Sequence, residues 1–235
     1  MPPNPPRVPS PLRNRAQWTA VVFAVIAALI PAMVLGGWDW IWTKINGPSG
    51  ITVYADRPYS CPRYIDMPKA DVRKDVDAAY AQGVRVSDKS GFPAELSLTL
   101  QAKTSQAVVV TGVKVKVLSN RAVPSSGFVV YGECGGGMTP RRFDVSLAKT
   151  PVPVRPAAPA KGDEVVDFPF KVADSDPEQL TLQLRPGERD IRFTVEVEWV
   201  ADGEHGSKIL DNAGQGFRVM GTGDLPTYGY GEMFQ

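Results

Sequence analysis

Between Ile191 and Trp199 apolar and polar residues alternate without a break: Ile191, Phe193, Val195, Val197 and Trp199 against Arg192, Thr194, Glu196 and Glu198. Successive side chains of a strand point to opposite faces, so a period of two predicts a strand with one buried and one wet face. The period recurs at Leu96, Leu98, Leu100 and Ala102, at Val113, Val115 and Val117, and at Phe143, Val145 and Leu147. It recurs again at Val166, Phe168, Phe170 and Val172, and at Leu180, Leu182 and Leu184. Short half-buried strands joined by Gly, Ser, Asn and Pro turns predict a mainly β chain: antiparallel sheets on a shared core, an immunoglobulin-like β-sandwich. Hairpin turns are expected at Lys103–Gln106 and at Asp202–Ser207. One short helix is expected over Pro68–Gln82, where Val72, Val76, Ala79 and Tyr80 fall at helical spacing. Asp66 or Asp71 would stand near its start, and Gly83 would take the left-handed position after its end. Its narrow apolar stripe places it on the surface of the sandwich.

Residues 18–35, WTAVVFAVIAALIPAMVL, carry no charge. At about 1.5 Å per residue this run spans about 27 Å, close to the hydrocarbon thickness of a bilayer. Residues 17–42 are therefore expected to be a transmembrane anchor. Arg7, Arg13 and Arg15 precede it with no acidic residue, and Trp38, Trp40 and Trp42 follow. Positive charge favours the cytoplasmic side and indoles favour the headgroup layers, which predicts N-terminus in and C-terminus out. A cleaved signal is the competing reading, but the run is long for one. Leu35 also stands where a cleavage site wants a small residue. Ala20, Ala24, Ala28 and Ala32 recur every four residues, a small-residue stripe on which two anchors could pair as a homodimer. Residues 1–16 contain six prolines and are expected to be a disordered cytoplasmic tail. Residues 43–220 then form one extracytoplasmic domain, crossed by a proline-rich connection at 148–162 that would cover a sheet edge. Residues 221–235 are expected to be a loose tail.

From residue 39 onward there are 23 basic and 25 acidic residues, a net of −2, which does not suit a nucleic-acid binder. Cys61 and Cys134 both lie beyond the anchor, in a compartment that permits a disulfide. Such a bond would close about 70 residues and stabilise by about 4 kcal/mol in the chain-entropy model. No CxxC pair exists and His205 is the sole histidine, so neither a metal nor a cofactor is expected. The other chemical candidates read as structure. His205 falls in a predicted hairpin. The glycine-rich Gly132–Met138 leads to a strand and lacks the Gly-Lys-Ser/Thr ending of a phosphate loop, and Gly203–Lys208 has that ending in the wrong order. Asp174, Asp176 and Glu178 alternate like calcium ligands but lack the glycine and distal glutamate of a calcium loop, which favours turn chemistry.

The segment Ala107–Val115, followed by Gly132–Gly136 and Arg142–Val145, with Asp167–Phe170 and Phe193–Val195 later, resembles a group of uncharacterised membrane-anchored ectodomains of streptomycete-type actinobacteria. The resemblance covers most of residues 51–218. It implies a location and a fold but no activity. Some similar ectodomains are joined to a cytoplasmic helix-turn-helix domain; here about 17 residues precede the anchor, which argues against a direct transcriptional role. The expected function is a single-pass, membrane-anchored extracytoplasmic binding module without catalytic activity, facing an unknown protein or envelope ligand. The alternatives are an assembly subunit oligomerising through its anchor and, third, a cell-envelope hydrolase, which would need a nucleophile–base pair or convergent acids in one pocket.

Overall fold

The computed structural model describes residues 50–56, 60–88, 93–132, 141–158 and 166–234. The expected anchor and tail at 1–42, with Ala20, Ala24, Ala28 and Ala32, lie outside the described residues. Among the described residues no helix is long and apolar enough to cross a membrane.

The described chain is mainly β and builds two sheets. The first takes β1 (Ile51–Ala55), β4 (Ala94–Ala102), β10 (Glu178–Arg185), β7 (Arg141–Ser146) and β8 (Val154–Pro156), in that order. The second runs β14 (Thr227–Gly229), β6 (Phe128–Tyr131), β2 (Pro62–Ile65), β3 (Val84–Ser87), β13 (Phe217–Gly221), β11 (Arg189–Ala201), β5 (Val108–Ala122), β9 (Phe170–Val172). β12 (Glu204–Leu210) pairs with the far half of β11, beyond the reach of β13. The alternating apolar residues close one core between the sheets. Leu96, Leu98, Leu100, Leu182 and Phe143 from the first meet Ile191, Phe193, Val195 and Val110 from the second, all fully buried. Each such side chain contributes about 1.5–3 kcal/mol of transfer free energy. Phe168 adds its ring from outside the strands, stacked 4.5 Å from Phe143.

Several expectations change. The sheets are mixed: β10–β7, β13–β3 and β14–β6 pair in parallel. Alternation reports which face is buried, not the direction of the neighbour, so it could not show this. Lys103–Gln106 does not close a hairpin, because β4 and β5 belong to different sheets; Lys103 N instead donates to Gly50 O at 3.0 Å. The second turn is a hairpin, tighter than expected. Asp202 and Gly203 take φ of 53° and 81°, a two-residue turn joining β11 to β12. Gly206 then faces Trp199, and a Cβ there would sit 2.5 Å from the indole. The proline-rich connection supplies β8, which pairs with β7 at the edge of the first sheet.

The second sheet is wider than the first, and β3, β2, β6 and β14 extend past the shared core. This extension is covered on both faces, so β2 is buried along its whole length. On one face lie Tyr64, Val86, Val129, Met220 and Leu225. On the other, Ile65, Phe128 and Val130 meet Val72, Val76, Ala79 and Met233. The expected single helix is two: α1 (Lys69–Val72) and α2 (Val76–Gln82). Asp75 makes the break, its Oδ1 accepting from Ala78 N at 2.9 Å as a new N-cap. Gly83 has φ −56°, not left-handed; it is needed because a Cβ would lie 2.9 Å from that of Arg63. The segment expected as a loose tail is ordered: Thr227–Gly229 pairs with β6, and a 3₁₀ helix (Tyr230–Phe234) buries Met233 completely.

Candidate functional site

β11, β13 and β3 are neighbours, and each carries an arginine near one end of the strands. Arg192 stands directly opposite Arg218 in the antiparallel β11–β13 ladder, whereas Arg85 on β3 is opposite Val219, one position out of step with Arg218. A groove of about 390 Å³ opens there, lined by Gln82, Val84, Arg85, Arg192, Phe217, Arg218 and, from one turn, Asn212, Ala213, Gln215 and Gly216. That size suits a small ligand group. None of the lining residues carries a carboxylate.

Each guanidinium is fixed by a different device. Arg218 donates from Nε and Nη2 to the two oxygens of Asp190, both at 2.8 Å. This bond pushes the Arg218 guanidinium above its ordinary pKa against the opposing effect of burial, so it stays charged. Arg85 donates from Nη1 to Gly83 O at 2.9 Å. Arg192, exposed at the rim, donates from Nη1 to Gln215 O at 3.1 Å.

The acceptor for Arg192 is held by the turn. Asn212 Nδ2 donates to Gly216 O at 3.2 Å, and Gly216 N to Asp211 O at 2.7 Å. Asn212, Ala213 and Gly214 all take positive φ, at 51°, 56° and 80°. For Ala213 that conformation costs about 1–2 kcal/mol, which the closed turn must offset.

Like charges opposite one another in a ladder are unfavourable. Arg192 and Arg218 form such a pair, and Asp190 neutralises only the second. Among the described residues Arg192 has no acidic partner within ion-pair distance.

The residues singled out from the sequence lie elsewhere and apart. His205 is exposed on β12 opposite Val200. Glu178 makes a two-point ion pair with Arg141 at 2.8 Å, while Asp174 Oδ1 accepts from Ser175 N at 2.8 Å. The acidic cluster is thus divided between an ion pair and a turn. Among the described residues no three of His, Cys, Asp and Glu gather as a metal would require.

Cys61 immediately precedes β2, its carbonyl accepting from Gly132 N at 3.3 Å and from the Tyr80 hydroxyl. No free cysteine occurs among the described residues. Cys134, like the rest of the glycine-rich loop after Gly132, lies outside them.

Sequence reasoning missed the arginine groove because positions 85, 192 and 218 are far apart in the chain. Each reads as an ordinary polar member of a strand, and only the β11–β13–β3 pairing unites them. The one local signal was Asn212-Ala213-Gly214-Gln215-Gly216, a turn-forming run just before an arginine-bearing strand. Compared with known proteins, the chain matches no protein-family model, no curated protein and no solved structure.

Proposed function

We propose that this chain is a single-pass membrane-anchored extracytoplasmic binding module, an immunoglobulin-like β-sandwich that holds a ligand non-covalently in the arginine groove. The observation that carries the reading is that groove: fixed guanidinium groups from adjacent strands, apolar walls at Val84 and Phe217, and no carboxylate in the lining. Fixed donors around a cleft of this size favour recognition, because little side-chain freedom is left to lose on binding. The uncharged run at 18–35 and the arginines before it support the anchor and its direction.

Two measurements test the proposal. A reporter active only outside the cytoplasm, fused after Gln235, is expected to be active; activity of a cytoplasm-only reporter at that position overturns the topology. A photo-crosslinking residue at exposed Gln82, in the full chain in native membranes, is expected to capture a defined adduct. If it captures no more than the same residue at exposed Arg155 on β8, the groove is not the binding site.

A further inference from the structure

We propose that the groove recognises a phosphate group carried by its ligand, an inference that rests on the binding-module reading above. The argument starts from the donors left after the internal bonds are made. Arg218 spends its Nε–Nη2 edge on Asp190, which leaves Nη1. Arg192 spends only Nη1, on Gln215 O, which leaves its Nε–Nη2 edge. That edge is a two-point fork for two oxygens of one anion. A carboxylate has two oxygens and would be satisfied by the fork alone. A phosphate has a third to offer Arg218 across the ladder, and it carries more charge. Bridging the two guanidinium groups relieves the like-charge pair: Asp190 and, at longer range, Asp66 lie on the Arg218 side, and neither pairs with Arg192. Exposed Gln82 and Gln215 flank the groove with amides that can meet hydroxyl groups beside the phosphate.

The test uses the full chain in neutral detergent at fixed ionic strength, titrated with inorganic phosphate, glycerol 3-phosphate and acetate and followed by calorimetry. Both phosphates are expected to bind saturably and acetate much more weakly. Neutral vesicles with and without phosphatidylglycerol form a further arm. Competition by the anionic vesicles would identify a lipid headgroup as the source, and its absence a soluble or polymer-borne phosphate. Arg192→Gln is expected to weaken phosphate binding by about tenfold or more, and Arg192→Lys, which keeps the charge but loses the fork, by less. Lys171→Gln, on an exposed position of β9 opposite Val109 and so at the far end of β5 from the groove, is expected to change nothing. Each variant is checked for unchanged thermal unfolding, and Arg192→Lys keeps the test valid if the glutamine variant fails to fold. No saturable phosphate binding, acetate binding as tight as phosphate, or an equal loss in Lys171→Gln would each overturn the inference. An adduct at Gln82 without phosphate binding would overturn the phosphate assignment alone. Phosphate binding without an adduct would instead remove the captured-ligand reading.

Discussion

Met233 and Phe234 are neighbours with opposite surroundings, and their contrast makes a sharp test. Met233 is completely buried, whereas Phe234 is 67% exposed. Met233 packs with Ile65, Val72, Val76, Ala79, Phe128 and Val130, plugging the space between α1–α2 and the extended sheet. Truncation to alanine loses the transfer free energy of the buried atoms and leaves a cavity, together about 2–5 kcal/mol. For a unit of this size each kcal/mol lowers Tm by about 2–4 °C, so a loss of about 3 kcal/mol predicts a fall of about 6–12 °C. Phe234→Ala loses chiefly an edge contact to Tyr230, with ring centres 5.6 Å apart, and should cost under about 1 kcal/mol. Thermal and urea unfolding of the purified full chain measure both. If the two variants shift alike, or if Met233→Ala shifts by less than the phenylalanine variant, the packing argument for the C-terminal segment is refuted.

Gly221→Ala is expected to abolish stable folding, because its Cβ would lie 2.0 Å from Gly187 O, a backbone atom with nowhere to go. Gly203→Ala, with nothing within 4 Å but a φ of 81°, should cost only about 1–2 kcal/mol; equal effects in denaturant would refute the distinction. Burial, and then the nearby Asp66 and Asp88 respectively, raise the pKa of Tyr64 and Tyr131 above the ordinary 10.0. A folded-state pKa above the unfolded one gives stability that is complete below that ordinary value and lost as pH rises through the raised one. The urea midpoint should therefore fall above about pH 10, and less steeply in Tyr131→Phe; a flat alkaline limb would contradict this. Cys61 and Cys134 are proposed to be bonded, since Pro62 pairs with Tyr131 and brings the two segments side by side. Thiol titration of the folded, unreduced protein should find none, Cys61→Ser should cost about 2–5 kcal/mol, and two titratable thiols would refute the bond.

The long strands were legible because each buries one face against the shared core, and a period of two survives wherever that holds. β4, β10 and β11 are such cases. The extended part of the second sheet was not legible, for the same reason reversed. β2 is covered on both faces, so Pro62-Arg63-Tyr64-Ile65 shows no alternation and is too short to stand out. The C-terminal segment offers Leu225, Tyr228 and Met233 at no regular spacing, because it is anchored by single side chains. The break between α1 and α2 was hidden by the helical spacing of Val72 and Val76, which both helices share. The groove was illegible because it exists only once β13 has been inserted between β3 and β11.

That insertion also fixes an order of events. β2, β3 and β6 come from residues 62–131, yet in the second sheet they join β11 only through β13, at residues 217–221. Until β13 has emerged from the ribosome and arrived at its place, the sheet is two unjoined pieces with unpaired backbone groups along the facing edges. Closure of such sequence-distant pairings is slow. The early strands therefore wait, with their edges unpaired, until residues 217–221 have been made and have reached their place.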